Sequence, residues 1–394
     1  MIWILNYVFV PCNDFSIYKI QNCISRILKN VCKIYLSMDY SPGLRGVVAG
    51  ETAISTVGME GTSLRYRGYD AIALTKTHTY EAVSSLIIND SLDDKDFKKS
   101  FSNYYLQISK DKNLNNLLKE SKEKLQPMDV IRTVVSFIGE LTTLMKNTLD
   151  NQDKTELAAR INATASYIIA SYHNESCDEL DDKYLVASSL LPNNADKEKL
   201  EALDDMLILY AEHGFNASTF AARVTASTRS DLTSAIVSGI GTLKGELHGG
   251  ANEEAVKLVN SFKTIEEAEN EIHKMLKEKK KIMGFGHGVY KVQDPRSDVV
   301  KQWVETLVEN DFSKNRFEIA KKIDEIMTNE KNLFPNVDFY GGLLLSELGF
   351  EVDLFTPIFV AGRSVGWSAH YFEQREQDTL IRPAAKYIGI EERE

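Results

Sequence analysis

Cysteine is scarce in this sequence, and most of it is confined to one end. Only four of the 394 residues are cysteines, and Cys12, Cys23 and Cys32 all lie within the first 37 residues. This distribution argues against a disulfide framework of the kind found in small secreted proteins, and it favours a reducing, cytoplasmic setting. The sequence also has no CxxC pair and no HExxH pair, so two common local signatures of metal sites are missing.

Long apolar runs and an excess of positive charge are lacking as well. No uninterrupted apolar segment reaches the roughly 18 residues of a membrane span. The formal net charge of -11 argues against a general nucleic-acid binder, which would present a basic face. The hydrophobic content of 43% is ample for a packed core in two domains or one large one. We therefore expect a globular protein with no membrane or nucleic-acid partner.

Residues 1–37 differ in composition from the rest of the chain. They begin with the apolar run MIWILNYVFV and then carry four basic residues against a single acid, Asp14. A signal peptide would place the charges before the apolar run, and a transit peptide would be richer in arginine and serine. We interpret this segment as an extension outside the fold, with Met38 as the functional start. Mass spectrometry of the native N-terminus tests this interpretation.

Proline is rare in the middle of the chain, where only Pro192 lies between Pro127 and Pro295. Long uninterrupted helices therefore have room to form. Apolar residues recur at spacings of three and four, for example at Leu157, Ile161 and Ala165, which is typical of amphipathic or buried helices. The predicted fold class is all-α and mostly helical.

Two segments depart from this helical pattern. Residues 43–70 favour extended structure, with TAISTV and SLRYRGYD flanking Gly58 and Gly61 as a small N-terminal β-hairpin. The acidic segment from Asn174 to Lys199 contains Asn193-Asn194 after a proline and is predicted to be a surface connection.

The stretch MGFGHGVYKVQDPR, Met283 to Arg296, concentrates glycines, an imidazole and two cations in a few positions. Glycine permits a positive φ or a close approach to a ligand, and each one would weaken a helix interior by about 1 kcal/mol relative to alanine. Asp294-Pro295 disfavours a helix continuing through the loop, so that a new one can start at Arg296. A tight inter-helix turn with a chance histidine is the alternative interpretation.

Three of the seven histidines stand in unusual contexts: His213 in YAEHGFNAST, His248 before a glycine pair in LKGELHGGAN, and His287 in the glycine loop. FPNVDFYGG places Asp338 at the boundary of an element, where an N-cap is the common alternative. The separations between these residues do not match the helix-turn spacing of metal ligands, and no GxSxG elbow is present. The three histidines and Asp338 instead favour acid–base chemistry on an anionic substrate that arginines hold. The other histidines are predicted to be surface or helix-face residues without a function: His78, His173, His273 and His370.

The motifs of this chain resemble those of a known family. Six stretches occur in the order seen in citrate synthases, and the resemblance extends over about Pro42 to Glu391, with PMDVIRT and LYAEHGFNASTF most similar to the 2-methylcitrate synthase branch. It implies a mostly helical homodimer. Each subunit would have a large domain of residues 38–250 and 345–394 and a small domain of residues 251–344. The six stretches are HGFNASTF, GELHGGAN, MGFGHGVYKVQDPR, FPNVDFYGG, VAGRSVGWSAHYFEQRE and LIRPAAKYIG.

The resemblance also implies a mechanism. Asp338 would be the base that takes a proton from the carbon next to a thioester, His248 would donate to the thioester oxygen as a neutral imidazole, and His287 would protonate the ketone of oxaloacetate. Glu246 stands beside His248 where most relatives have proline, and it is expected to raise the proton affinity of that histidine. The positions that match the grip on oxaloacetate's carboxylates are His213, Arg296, Arg363 and Arg382.

Substrates and partners follow from the same resemblance. Coenzyme A is expected at the glycine loop, against Gly284, Phe285 and Gly286, with Lys291 near its phosphates. Acetyl-CoA or propionyl-CoA would be the donor, with no metal and no tightly bound cofactor. Arg382 is expected to reach the active site of the partner subunit. A helical scaffold that kept the fold and lost turnover is the alternative, and retention of all three catalytic residues argues against it.

Overall fold

A computed structural model of the protein describes residues 41–59, 63–122, 124–137, 151–173 and 180–390. The predicted N-terminal extension and all four cysteines lie outside the described residues. Internal contacts gather residues 52–382 into one compact unit, and the described part of a second unit consists of residues 41–51 and 383–390. The division into large and small domains at residues 250 and 345 stays a prediction.

The predicted hairpin is present as two strands, β1 (Ser55–Val57) and β2 (Leu64–Tyr66), which pair antiparallel with Ser55 opposite Tyr66. A short third strand, β3 (Tyr69–Asp70), extends the sheet on the other side of β2. Leu64 and Tyr66 are buried and Arg65 between them is not, so the strand alternates as a half-buried strand should.

All-α is the correct fold class, because helices account for most of the described chain outside this sheet. The predicted helical spacings at Leu157 and Ile161 fall in a helix of 23 residues. The helices are α1 (Ala71–Thr75), α2 (Tyr80–Asn89), α3 (Lys95–Ile108), α4 (Lys112–Ser121), α5 (Pro127–Phe137), α6 (Asn151–His173), α7 (Leu185–Leu190), α8 (Lys197–Ala211), α9 (Ala217–Ser227), α10 (Leu232–Leu243), α11 (Ala251–Asn260), α12 (Ile265–Lys277), α13 (Pro295–Leu307), α14 (Asp311–Lys331), α15 (Val337–Glu347) and α16 (Phe355–Gln377).

The core is organised around α16, in which every residue from 355 to 372 is buried. It packs against α6, α8, α9 and α10. A helix that is surrounded on all sides has no solvent-exposed polar face. The polar residues of α16 in this stretch therefore lie in the protein interior. Among the described residues, no helix is both long and apolar enough to cross a bilayer.

Two predictions about surface residues were wrong. The predicted surface connection contains α7, whose six residues are all buried, because the run LVASSLL supplies enough apolar surface to enter the core despite its acidic flanks. His370 was assigned to a surface or helix face, yet it is fully buried on α16. Both errors come from judging a segment by its neighbours in sequence rather than by what packs around it.

Candidate active site

Three helices of the core begin with an Asx cap, and each carries a polar residue at its second position. Asn216 caps α9, Asp294 caps α13 and Asn336 caps α15, each by accepting a backbone N–H of the first turn. The second residues are Ser218, Arg296 and Asp338. Because the first turn of a helix is tied down by its cap, these side chains leave the backbone from well-defined positions.

The glycine loop is fastened to the segment that precedes α15. Gly286 N–H donates to the Phe334 carbonyl at 2.8 Å, and Asn336 N–H donates to the Gly284 carbonyl at 2.9 Å. Gly284 has φ +87°, and a Cβ there would lie 2.9 Å from Cβ of Phe339, so no other residue fits this position without strain. The loop that carries His287 is thereby held close to the helix that carries Asp338.

The loop also fixes the tautomer of His287. Its Nδ1 accepts hydrogen bonds from the backbone N–H groups of Val289 and Tyr290, at 3.0 and 3.2 Å. A backbone N–H can only donate, so the proton of the neutral ring is on Nε2. Burial and the charge of Arg296 lower the pKa of His287 to about 4. At neutral pH the side chain is therefore an uncharged donor through Nε2.

His213 lies next to His287, with the two ring centroids 5.0 Å apart in an edge-to-face arrangement. Its Nε2 is 3.1 Å from the Tyr290 hydroxyl. Burial, followed by the nearby charges of Arg296, His287 and Arg363, holds the pKa of His213 well below its usual value. This histidine is also neutral, and it is 8% exposed.

His248 is oriented by Ser218. Its Nε2 lies 2.8 Å from the Ser218 hydroxyl oxygen and accepts the Ser218 backbone N–H at 3.3 Å, which leaves the proton of the neutral ring on Nδ1. Trp367 on α16 donates its indole N–H to the same hydroxyl at 3.2 Å. Burial and the charge of Arg363 lower the pKa of His248 to about 4. The rise expected from Glu246 is not seen, since that side chain is exposed and burial lowers the pKa of His248 instead.

Two buried arginines link these groups electrostatically. Arg296 and Arg363 are 4% and 1% exposed, and both lower the pKa of Asp338 and of His213. Arg363 also acts on His248, and Arg296 acts on His287. Such effects weaken with distance, so each of the three candidate catalytic side chains lies within range of at least one of these two charges, and Asp338 lies within range of both.

Asp338 contributes an ionisable carboxylate to this cluster. Burial raises its pKa to about 6, against the opposing charges of Arg296 and Arg363. Its Oδ1 is shielded from solvent and has no hydrogen-bond partner. The N-terminal end of α15 favours a negative charge at this position. A carboxylate with a pKa near 6 is ionised at pH 7 and basic enough to accept a proton.

Two of the predicted binding residues, Arg382 and Lys291, are exposed. Arg382 is exposed in the irregular segment after α16, in contrast to the two buried arginines. Lys291 is exposed as well, and its Nζ donates to the Gly288 carbonyl at 3.0 Å. Phe285 is half-buried, with its ring centroid 4.5 Å from that of Phe339. In the part of the chain that the structure describes, no cluster of histidine, cysteine or acidic side chains is arranged to hold a metal ion.

Sequence reasoning missed a buried carboxylate next to His213. Glu212 accepts hydrogen bonds from Ser55 on β1 and from His370 on α16, both at 3.0 Å. His370 in turn lies 2.9 Å from the guanidinium of Arg223. The sequence does contain a signal for this pair, since His370 lies in the mostly apolar run FTPIFVAGRSVGWSAHYF. A histidine within a wholly buried helix needs a buried hydrogen-bond partner.

Comparison with known proteins decides the family. The sequence model described as "Citrate synthase, C-terminal domain" matches residues 43–384. The chain belongs to the citrate synthase family. A 2-methylcitrate synthase of Shewanella oneidensis is 39% identical over 364 residues, which cover 89% of this chain and 95% of that protein. "Citrate synthase 2" of Bacillus subtilis is 36% identical, over 89% of this chain and 96% of that protein.

A solved citrate synthase structure has the same architecture. The enzyme of Thermoplasma acidophilum, in a ternary complex with carboxymethyl coenzyme A and oxaloacetate, matches with a TM-score of 0.80 and 28% identity. The match covers 90% of this chain and 98% of that one. The citrate synthase resemblance drawn from the six sequence stretches is thus confirmed.

Proposed function

We propose that this protein condenses an acyl-CoA with oxaloacetate by acid–base chemistry at Asp338, His248 and His287. The observation that carries the proposal is that one carboxylate of raised pKa is under the charge of two buried arginines, and that each of two neutral imidazoles is under the charge of one of them. The family relationship supplies the reaction class, since the relatives are citrate and 2-methylcitrate synthases.

The chemistry assigns one role to each group. The Asp338 carboxylate takes a proton from the carbon next to the thioester carbonyl, while Nδ1–H of His248 donates to the thioester oxygen as the enolate forms. The enolate carbon then attacks the ketone carbon of oxaloacetate, and the ketone oxygen takes a proton from Nε2 of His287. The proton that Asp338 has taken returns to Nε2 of His287, and water cleaves the thioester to give a carboxylate, a released proton and coenzyme A as a free thiol.

Oxaloacetate brings two carboxylates, which explains the buried cations. Arg296 and Arg363 bind them as planar guanidinium groups, and neutral His213 adds one hydrogen bond. A dianion also offsets the electrostatic cost of two arginines buried close together. We assign the same substrate a further contact with Arg382 of the partner subunit, which accounts for the exposure of this residue in a single chain.

Coenzyme A is assigned to the outer face of the glycine loop. The backbone of Gly284, Phe285 and Gly286 is held in an extended turn against residues 334–336, a shape suited to packing against an adenine. Lys291 is exposed nearby and offers a cation for phosphate. Replacing Lys291 by glutamine should raise KM for the acyl-CoA and leave KM for oxaloacetate unchanged.

The choice of donor is tested directly. Purified protein is mixed with oxaloacetate and either acetyl-CoA or propionyl-CoA, thiol release is followed optically, and the product is identified by mass spectrometry. One methylene discriminates by only about 1 to 3 kcal/mol, so use of both donors is expected. Absence of thiol release with both would overturn the proposed activity and favour the scaffold alternative.

The dimeric site has its own test. Asp338→Asn and Arg382→Ala variants should each be inactive or nearly so when pure. If Arg382 serves the partner's site, mixing them by subunit exchange restores one complete site per heterodimer, or about a quarter of wild-type activity. No recovery in verified heterodimers would place Arg382 in its own subunit's site. A cytoplasmic location is proposed from the cysteine usage alone.

A further inference from the structure

Tyr210, in the last turn of α8, carries a buried hydroxyl for which the structure provides no hydrogen-bond partner. The ring itself is firmly placed. It stacks on Phe359 with the centroids 4.0 Å apart, and the Tyr210 carbonyl accepts the Nε–H of Arg363 at 2.5 Å. A fully buried side chain is thus fixed in orientation while its only polar atom is left unsatisfied, which is rare unless the group has a further use.

The hydroxyl approaches α15 on the same side as Asp338. A Cβ at Gly341 would lie 3.1 Å from the Tyr210 hydroxyl oxygen, so the absence of a side chain there gives the phenol its place. Gly341 is three residues after Asp338, and residues three apart share one face of a helix. Asp338 Oδ1 is likewise buried and without a partner. The negative charge of Asp338 is the largest influence on the pKa of Tyr210 after burial, and both raise it.

A third unsatisfied group lies beside them. Nδ2 of Asn252, in the first turn of α11, is buried and has no hydrogen-bond partner. The Asn252 side chain is close enough to the phenol to offset part of the rise in the pKa of Tyr210. Its carbonyl packs against Gly342, where a Cβ would be 2.5 Å away. The phenol and the carboxylate oxygen therefore lie around one turn of α15 without a hydrogen bond between them, and the Asn252 amide is placed to donate to the phenol oxygen.

We propose that Tyr210 is a positioning residue for the proposed condensation, and that its hydroxyl donates a hydrogen bond to the Asp338 carboxylate in the substrate-bound enzyme. This inference rests on the proposed function of Asp338 as the base. With Oδ1 held by the phenol, Oδ2 faces the acyl carbon. Burial keeps the phenol protonated throughout the working pH range, so the group acts as a donor only. The amide of Asn252 is placed to donate to the phenol oxygen and so supports the same arrangement.

The test is Tyr210→Phe, which deletes the hydroxyl and keeps the ring stacked on Phe359. We expect kcat to fall about tenfold with both KM values within a factor of two, because removing a donor weakens proton transfer rather than binding. The acid limb of the kcat profile should move to higher pH, since the carboxylate loses a hydrogen bond that stabilises its charged form. With an acyl donor deuterated at the reacting carbon, the isotope effect on kcat should increase. The melting temperature should not fall, because the lost group had no partner.

Tyr371→Phe is the matched control. Tyr371 is also buried, but its hydroxyl donates to the Ser230 carbonyl at 3.1 Å, so this variant should melt at a lower temperature with kcat unchanged. If the wild-type enzyme is active and Tyr210→Phe leaves kcat, the acid limb and the isotope effect unchanged, the proposed role of Tyr210 is overturned. The proposed function is not affected by that result. A wild-type protein that releases no thiol would overturn the proposed function, and the role of Tyr210 with it.

Discussion

The Asp294 carboxylate holds the Arg296 guanidinium through two hydrogen bonds, of 2.9 and 2.8 Å, although one proline separates the two residues in sequence. The same carboxylate accepts the backbone N–H of Val337 at 3.1 Å. One fully buried side chain therefore fixes a proposed substrate-binding arginine together with the first turn of the helix that carries Asp338. Because Pro295 follows it, Asp294 is kept out of the helical backbone conformation. This backbone conformation makes the local pairing with Arg296 possible.

Asp294→Asn should be among the most damaging substitutions in the protein. It leaves a buried guanidinium without its counter-ion, which costs about 3 to 5 kcal/mol for a buried pair, and it should raise KM for oxaloacetate by more than tenfold. Urea unfolding and initial-rate kinetics measure the two effects. Asp378→Asn, which breaks an exposed pair with Arg229, is the control and should leave both unchanged. Equal behaviour of the two variants would contradict this account of Arg296.

The glycine loop provides a matched pair of substitutions. Gly284→Ala places a methyl group 2.9 Å from Phe339 at a positive φ, so it should lower the free energy of unfolding by about 1 to 3 kcal/mol and reduce kcat. Gly288→Ala meets no atom within 4 Å and should be neutral in stability. Circular dichroism melting and thiol-release rates distinguish them. If both alanines were tolerated equally, the loop would not be held as the structure indicates.

The pH profile should identify the base. Asp338 must be ionised to accept a proton, and burial raises its pKa to about 6, so kcat/KM should fall as pH drops below about 6. Burial lowers the pKa values of His248 and His287 to about 4, so neither histidine should titrate near pH 6.5. Asp338→Asn should reduce kcat by roughly 10² to 10⁴ with the fold retained. An acid limb that persists near pH 6 in the residual activity of this variant would assign the titration to another group.

Much of the fold follows from local pattern, because helix periodicity and proline placement are properties of short segments. The hairpin around Gly58 and the long helix around Leu157 were predictable for this reason. The environment of His370 was not predicted, since the run of residues before it indicates a buried helix but does not show which residue is its partner. Its partner Glu212 lies 158 positions away in sequence, and pairing at such distances is set by the packing of whole helices.

The candidate site divides in the same way. The residue types at His248, His287 and Asp338 could be chosen from sequence, since glycine pairs and capping positions mark them. Their protonation could not, because it depends on burial and on two arginines contributed by different helices. Glu246 illustrates the error: its charge is two residues from His248 in sequence, but solvent screens an exposed carboxylate, while burial and the guanidinium of Arg363 lower the pKa of the histidine.

The neutral histidines of the candidate site should make the protein sensitive to acid. The folded-state pKa of His248 is about 4, against 6.5 for the unconstrained side chain, so its contribution to stability is present above pH 6.5 and is lost as pH falls towards 4. Between pH 7 and pH 5 this loss amounts to roughly 2 kcal/mol for one such histidine. His248→Gln should therefore lose less unfolding free energy over this range than the wild type does, whereas His78→Gln, at a half-buried position outside the candidate site, should follow the wild type. Urea titrations at both pH values measure the difference, and parallel losses in all three proteins would show that His248 is not buried in its neutral form.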